Sequence, residues 1–148
     1  MVDILHRIGF KDTTPEAVFA ALTTPADLAA WWTRDTQGDG EPGGTLAFRF
    51  GEAGGFDMKV LEATPGERVL WEVVDGPEEW IGTQVRFDLR QVGDFTILLF
   101  AHEGWREPVE FMHHCSTRWA LFLMSLKELV ETGTGAPYPD LVDISDWT

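Results

Sequence analysis

The stretch Pro108–Glu131, PVEFMHHCSTRWALFLMSLKELVE, decides the fold. Its apolar side chains recur at alternating steps of three and four residues, which is the period of one face of an α-helix. These residues are Met112, Cys115, Trp119, Phe122, Leu126 and Leu129. Gly133 is a suitable C-cap, and Pro137 prevents continuation of the helix. We therefore predict a long amphipathic helix over about 108–131, followed by a tail over 133–148.

The chain before this helix alternates between apolar and polar residues, which predicts β-strands. Six segments show the pattern: 2–10, 46–50, 56–60, 69–73, 85–89 and 95–102. Gly- and Pro-rich turns separate them, as in Thr64-Pro65-Gly66. A polar face on most of these strands is typical of an antiparallel sheet with one solvated side. The last segment is apolar on both faces and is predicted to be central or covered. Residues 33–44 are rich in Gly and Asp and are predicted to form a loop.

Two short helices are predicted between the first two strands. Thr13-Thr14-Pro15-Glu16 is a helix start signal, and Thr24-Pro25 repeats it. A continuous helix is excluded because Pro25 would break it. Trp31 and Trp32 end the second helix. Neighbouring residues cannot share one narrow helix face, so we expect one of the two to guard a pocket mouth or to contact a partner.

These elements together predict one α+β domain over residues 1–148 with a helix-grip fold. A curved antiparallel sheet of about six strands would pack its apolar face against the long helix, because the apolar stripe of that helix must be buried. Two short helices would follow the first strand. A curved sheet that grips one helix leaves space at one end, and we expect a binding cavity there.

The composition limits the partners and the location of the protein. The formal net charge of −14 repels polyanions, which excludes nucleic acid and anionic membrane surfaces as expected partners. The single cysteine, Cys115, cannot form an intrachain disulfide, which suits a reducing compartment. Residues 1–6 show no signal-peptide pattern, and no apolar run is long enough to span a membrane. We therefore predict a cytoplasmic protein.

Several segments carry a resemblance to a known family. They are Thr14–Leu22, Leu28–Trp32, Gly43-Gly44, Phe100–Trp105 and Trp119–Leu126. The chain resembles the SRPBCC (START-like, birch-pollen-allergen-like) superfamily and, within it, the bacterial relatives of the heat-shock-ATPase-activator (AHSA1-like) domain, a stress-response co-chaperone. The resemblance covers nearly the whole chain and implies the helix-grip fold. It does not fix the function, because the superfamily includes lipid carriers, polyketide cyclases, hormone receptors and co-chaperone domains.

No motif in the sequence predicts a catalytic residue, a metal or a cofactor. Gly38–Gly43 formally matches G-x-G-x-x-G, but it neither follows a predicted strand nor opens a helix, and its acidic residues would repel a pyrophosphate. His113, His114 and Cys115 are adjacent, and successive helical residues point about 100° apart, so they cannot all face one metal.

His102 is the most informative polar residue. It shares strand parity with Leu98 and Phe100, which would place an imidazole among apolar side chains. Such a histidine is either a structural hydrogen-bonding group or, together with His114, Gln84 or Arg118, it orients the polar head of an apolar ligand. The predicted ligand-binding residues are Phe48, Phe50, Met58, Trp71, Trp80, Phe87, Phe100, His102, Trp105, Phe111, His114 and Arg118.

Three hypotheses for the function remain open. The first is non-catalytic binding or transport of a small apolar or aromatic molecule, by a monomer or a homodimer, in a cavity between the sheet and the long helix. The second is a co-chaperone-type module that contacts a chaperone or another protein. The third is a small cyclase or hydrolase that uses His102 as an acid or base. We expect the strongest evidence near the first turns of the long helix.

Overall fold

The computed structural model describes residues 1–147, so Thr148, the end of the predicted tail, lies outside the described residues. The strands are β1 (Val2–Lys11), β2 (Asp35–Gly38), β3 (Thr45–Arg49), β4 (Gly55–Thr64), β5 (Arg68–Asp75), β6 (Gln84–Val92) and β7 (Phe95–Trp105). The helices are α1 (Pro15–Thr23), α2 (Pro25–Trp31) and α3 (Glu110–Thr132). None of the described helices is long and apolar enough to cross a membrane.

All seven strands form one antiparallel sheet in the order β1-β7-β6-β5-β4-β3-β2. The predicted helix-grip fold is confirmed, with seven strands in place of about six. β7 lies between β1 and β6, as its two apolar faces predicted. The additional strand is β2, within the segment predicted as a loop. It pairs only with β3, at the edge of the sheet, and its residues are polar or glycine. It therefore buries no apolar side chain that could have given an alternating pattern.

Helix α3 lies along β1, the strand at the edge of the sheet opposite β2, and is hydrogen-bonded to it. It begins at Glu110, two residues later than predicted, because Val109 is still extended, with ψ of 164°. Lys11 N donates to Glu131 Oε2 at 2.8 Å, and His6 Nε2 lies 3.2 Å from the Ser116 carbonyl oxygen. Lys127 Nζ donates to the Gly9 carbonyl. These bonds occupy polar groups along β1 that an open sheet edge would expose.

Helices α1 and α2 have the predicted division at Pro25. Thr14 Oγ1 accepts from Ala17 N at 3.2 Å and caps α1. Trp31 and Trp32 are both buried, which is possible because they do not share one helix face. Trp31 lies on the buried face of α2 and donates its Nε1 proton to the Ala21 carbonyl at 2.8 Å. Trp32 is the C-cap residue, so it leaves that face and enters the core from the helix end.

Candidate functional site

A cavity of about 890 Å³ opens at one end of the sheet. Its walls come from the end of α2, the β3–β4 turn, the β5–β6 connection, the first half of α3 and the C-terminal tail. Small-molecule sites in proteins have volumes of roughly 300–1,000 Å³, so this cavity can hold a metabolite of substantial size.

Aromatic rings form most of the cavity wall. Nine lining residues are aromatic: Trp32, Phe50, Phe56, Trp80, Phe111, Trp119, Phe122, Tyr138 and Trp147. Several rings support one another, since Phe56 stacks on Trp80 with centroids 4.4 Å apart and Trp80 stacks on Trp119 at 6.0 Å. Such a wall favours an apolar or aromatic ligand, because flat rings gain both from burial and from ring contacts.

The charged lining residues lie at three places in the cavity wall. Arg49 lies near the β3–β4 turn and donates to Asp57 Oδ1 at 2.8 Å, and this bond raises its pKa. Asp75 and Glu79 belong to the β5–β6 side. Arg118 lies on α3, with its guanidinium carbon 5.9 Å from the centroid of the Phe122 ring.

Arg118 places a positive charge in the aromatic wall. Burial lowers its pKa, while the carboxylate of Asp143 acts in the opposite direction. An arginine remains charged under such conditions because its ordinary pKa lies far above neutral pH. Arg118 is half-buried, so its charge is less screened by water than that of a surface arginine.

Five of the twelve predicted ligand-binding residues line this cavity: Phe50, Trp80, Phe111, His114 and Arg118. The other seven lie in the core and are at most 2% exposed: Phe48, Met58, Trp71, Phe87, Phe100, His102 and Trp105. They share the inward face of the sheet, but the cavity occupies only one end of that face. Strand parity identifies the face and does not identify the end.

Other lining residues were absent from the predicted set. Trp119 and Phe122 carried only the signal of core residues, whereas Trp32 belongs to the tryptophan pair of which one member was expected at a pocket mouth. Phe56 shares strand parity with Met58, so the alternating pattern of this strand could have added Phe56 to the predicted ligand-binding residues. Tyr138 and Trp147 belong to the irregular tail, where no periodicity indicates what a side chain contacts.

His102 is fully buried and makes hydrogen bonds through both ring nitrogens. Trp119 Nε1 donates to its Nδ1 at 3.1 Å, which assigns the ring proton of the neutral form to Nε2. Nε2 lies 2.8 Å from Thr83 Oγ1, whose own proton goes to the Trp80 carbonyl at 2.5 Å. Burial lowers the pKa of His102 to about 3. These contacts favour the structural hydrogen-bonding role over the ligand-orienting role.

The three residues of the His113-His114-Cys115 run point in different directions. His113 is exposed, and His114 Nδ1 lies 3.3 Å from Ser145 Oγ. Cys115 is buried, and burial raises the pKa of its thiol to about 12. Within residues 1–147, no group of three or more His, Cys, Asp or Glu side chains is arranged to hold a metal ion.

A family profile described as "Activator of Hsp90 ATPase homolog 1-like protein" matches residues 12–131. The chain belongs to this family. The Aha1 dimer from Colwellia psychrerythraea, solved in solution, is similar to this activator-like chain with 45% identity and a TM-score of 0.84, over 91% of this chain and 100% of that one. None of the curated proteins compared matches the chain.

Two more distant structures share the fold of this activator-like protein. CalU16 from Micromonospora echinospora has 21% identity and a TM-score of 0.72, over 95% of this chain and 76% of that one. SSP2350 from Staphylococcus saprophyticus has 16% identity and a TM-score of 0.71, over 90% and 95% of the two chains. At these identities the likeness concerns the fold alone.

Proposed function

We propose that this protein binds a small, largely apolar or aromatic molecule in the cavity at the end of the sheet and does not transform it. The observation that carries the proposal is a cavity of about 890 Å³ with nine aromatic rings in its wall. A molecule that leaves water for this wall gains roughly 25 cal/mol per Å² of buried apolar surface. We propose that binding occurs in the cytoplasm and needs no cofactor.

The proposal is tested by quenching of intrinsic tryptophan fluorescence with a panel of fatty acids, aromatic carboxylates and the corresponding amides. Four of the seven tryptophans line the cavity: Trp32, Trp80, Trp119 and Trp147. We expect at least one compound class to give saturable quenching with one site per chain. Absence of saturable quenching by every class would contradict the proposal.

We further propose that Arg118 binds the polar head of the ligand. It contributes a half-buried positive charge to the aromatic wall, with its guanidinium beside the Phe122 ring. A planar guanidinium matches a carboxylate through two parallel hydrogen bonds. The preferred ligand would therefore be an apolar or aromatic acid with its carboxylate directed at α3.

The Arg118→Gln variant tests this role with 2-naphthoate and its neutral analogue 2-naphthamide. Hydrogen bonds to charged groups contribute about 1.5–3 kcal/mol, so we expect the affinity for the acid to fall about 10- to 100-fold. The affinity for the amide should change much less. Titration calorimetry measures both constants.

Arg90→Gln is the matched control, because Arg90 is exposed on β6 and does not line the cavity. It removes the same charge and should leave both affinities unchanged. Equal losses for acid and amide in Arg118→Gln would rule out a charge-specific role for Arg118.

A second candidate function is contact with a chaperone, which the family description and the dimeric Aha1 structure favour. Its test is the ATPase rate of a bacterial Hsp90 with increasing amounts of this protein. Saturable stimulation would support the co-chaperone function, and an unchanged rate without co-sedimentation would remove it. Since the Colwellia relative is a dimer, we extend the proposal to a homodimer, which sedimentation equilibrium tests directly.

The third hypothesis, an enzyme with His102 as acid or base, has no support from the site. The imidazole is fully buried, does not line the cavity and is bonded to Trp119 and Thr83. A general base must come within hydrogen-bonding distance of the proton that it removes. We therefore propose no catalytic role for His102.

A further inference from the structure

The C-terminal tail first attaches to the protein between Ala136 and Asp140. Ala136 N donates to Ser125 Oγ at 2.7 Å, and Tyr138 N donates to the Trp32 carbonyl at 2.8 Å. Arg34 N donates to the Tyr138 carbonyl at 3.3 Å, and the Arg34 guanidinium forms a salt bridge with Asp140. The two backbone hydrogen bonds of Tyr138 form a short parallel β-bridge between Thr33 and Tyr138.

The tail attaches a second time at Ser145 and Trp147, on the first turns of α3. Ser145 Oγ lies 3.3 Å from His114 Nδ1. The Trp147 ring lies 5.3 Å from the His114 ring and 6.4 Å from the Phe111 ring, between centroids. Phe111 and His114 stack at 6.2 Å and form a flat support, called here the Phe111–His114 platform.

The two attachments lie on different walls of the cavity. Tyr138 lines the cavity beside Phe50, with ring centroids 5.3 Å apart, and Trp147 lines it beside the platform. The segment Leu141–Trp147 therefore runs from one wall to the other. It also lies beyond residues 12–131, the part of the chain that the family profile matches.

The second attachment is the weaker of the two. It consists of ring contacts and a side-chain hydrogen bond, and Trp147 is 43% exposed. The carboxylate of Asp143 adds attraction, because it acts on the guanidinium of Arg118. Such contacts between partly exposed groups break and reform more easily than the backbone hydrogen bonds of the first attachment.

We propose that Leu141–Trp147 is a hinged cover of the cavity, which opens when Trp147 leaves the Phe111–His114 platform while the attachment at Tyr138 stays in place. The cover controls how fast a ligand enters and leaves. This inference rests on the proposed binding function and adds the step that regulates it. When a site is open for only a fraction of the time, the observed association rate falls to that fraction of the rate of the open site.

Stopped-flow tryptophan fluorescence with 2-naphthoate, on the full chain and its variants, tests the cover. In Trp147→Ala we expect the association rate constant to rise by about tenfold, because the segment no longer holds to the platform. The dissociation rate constant should rise at least as much, because the ligand also loses the contact of this lining ring. A chain that ends at Asp140 should show the same acceleration. Trp147→Phe keeps a ring on the platform and should stay near the wild-type rates.

Val142→Ala is the matched control within the same segment, because Val142 is 64% exposed and does not line the cavity. It should leave both rate constants unchanged. If wild type binds 2-naphthoate and neither Trp147→Ala nor the shortened chain is faster, the cover is overturned and the binding function stands. Binding by the shortened chain alone would support a cover that is mostly closed. If no form of the protein binds the probe or any panel compound, the binding function itself fails.

Discussion

Acidification from pH 6.5 towards pH 3 should lower the free energy of unfolding through His102. Burial holds the pKa of this residue near 3 in the folded protein, against 6.5 for a histidine in the unfolded chain. Below pH 6.5 the unfolded state therefore binds a proton that the folded state excludes, so stability is present above pH 6.5 and is lost as the pH falls. The slope approaches about 1.4 kcal/mol per pH unit and ends near pH 3, where both states are protonated.

Urea unfolding at a series of pH values, in wild type and in His102→Gln, measures this contribution. The variant carries a neutral amide in place of the imidazole, so it should be less stable at pH 7 but lose less stability on acidification. His113→Gln is the control, because His113 is exposed on α3. It should follow the wild-type curve. Parallel curves for wild type and His102→Gln would contradict the buried, neutral state of His102.

Trp32→Ala should destabilise the protein by about 3–5 kcal/mol, the usual range for removing a large buried ring. Trp32 is 1% exposed and lies between Phe48 at 4.2 Å, Trp119 at 4.9 Å and Trp71 at 5.9 Å, measured between ring centroids. The sheet, α2 and α3 meet at this ring, so its loss leaves a hole that no single element can fill.

Trp147→Ala is the comparison for Trp32→Ala, since it removes the same side chain from a 43% exposed position. Its cost should stay below about 1 kcal/mol, as for most surface substitutions. Equilibrium unfolding in denaturant gives both values. Similar losses in the two variants would contradict the central position of Trp32 in the core.

The elements that depend on periodicity were predictable. The stripe from Met112 to Leu129 identifies α3, and alternating apolar residues identify six of the seven strands. Each of these patterns exists because one face of the element is buried. β2 has no buried apolar face, so its four residues, Asp35–Gly38, look like a loop until β3 is present to pair with them.

The cavity was less predictable because it depends on contacts between distant segments. Phe111, His114 and Arg118 were placed correctly near the first turns of α3, and they do line the cavity. Trp105 contacts Phe111 as expected, with ring centroids 6.1 Å apart, but neither Trp105 nor His102 lines the cavity, because both lie in the core. Which end of the inward face stays open depends on the tail, and its path depends on bonds such as Tyr138 N to the Trp32 carbonyl.

The seven tryptophan indoles provide the most direct test of the central claim, which is that a ligand binds in this cavity. Each indole N–H gives its own signal in a two-dimensional NMR spectrum, and titration with the tightest-binding panel compound follows all seven. We predict saturable shifts for Trp80, Trp119 and Trp147, which line the cavity, and much smaller shifts for Trp31 and Trp105, which do not. Shifts that are largest for Trp31 and Trp105, or that never saturate, would contradict binding in the cavity.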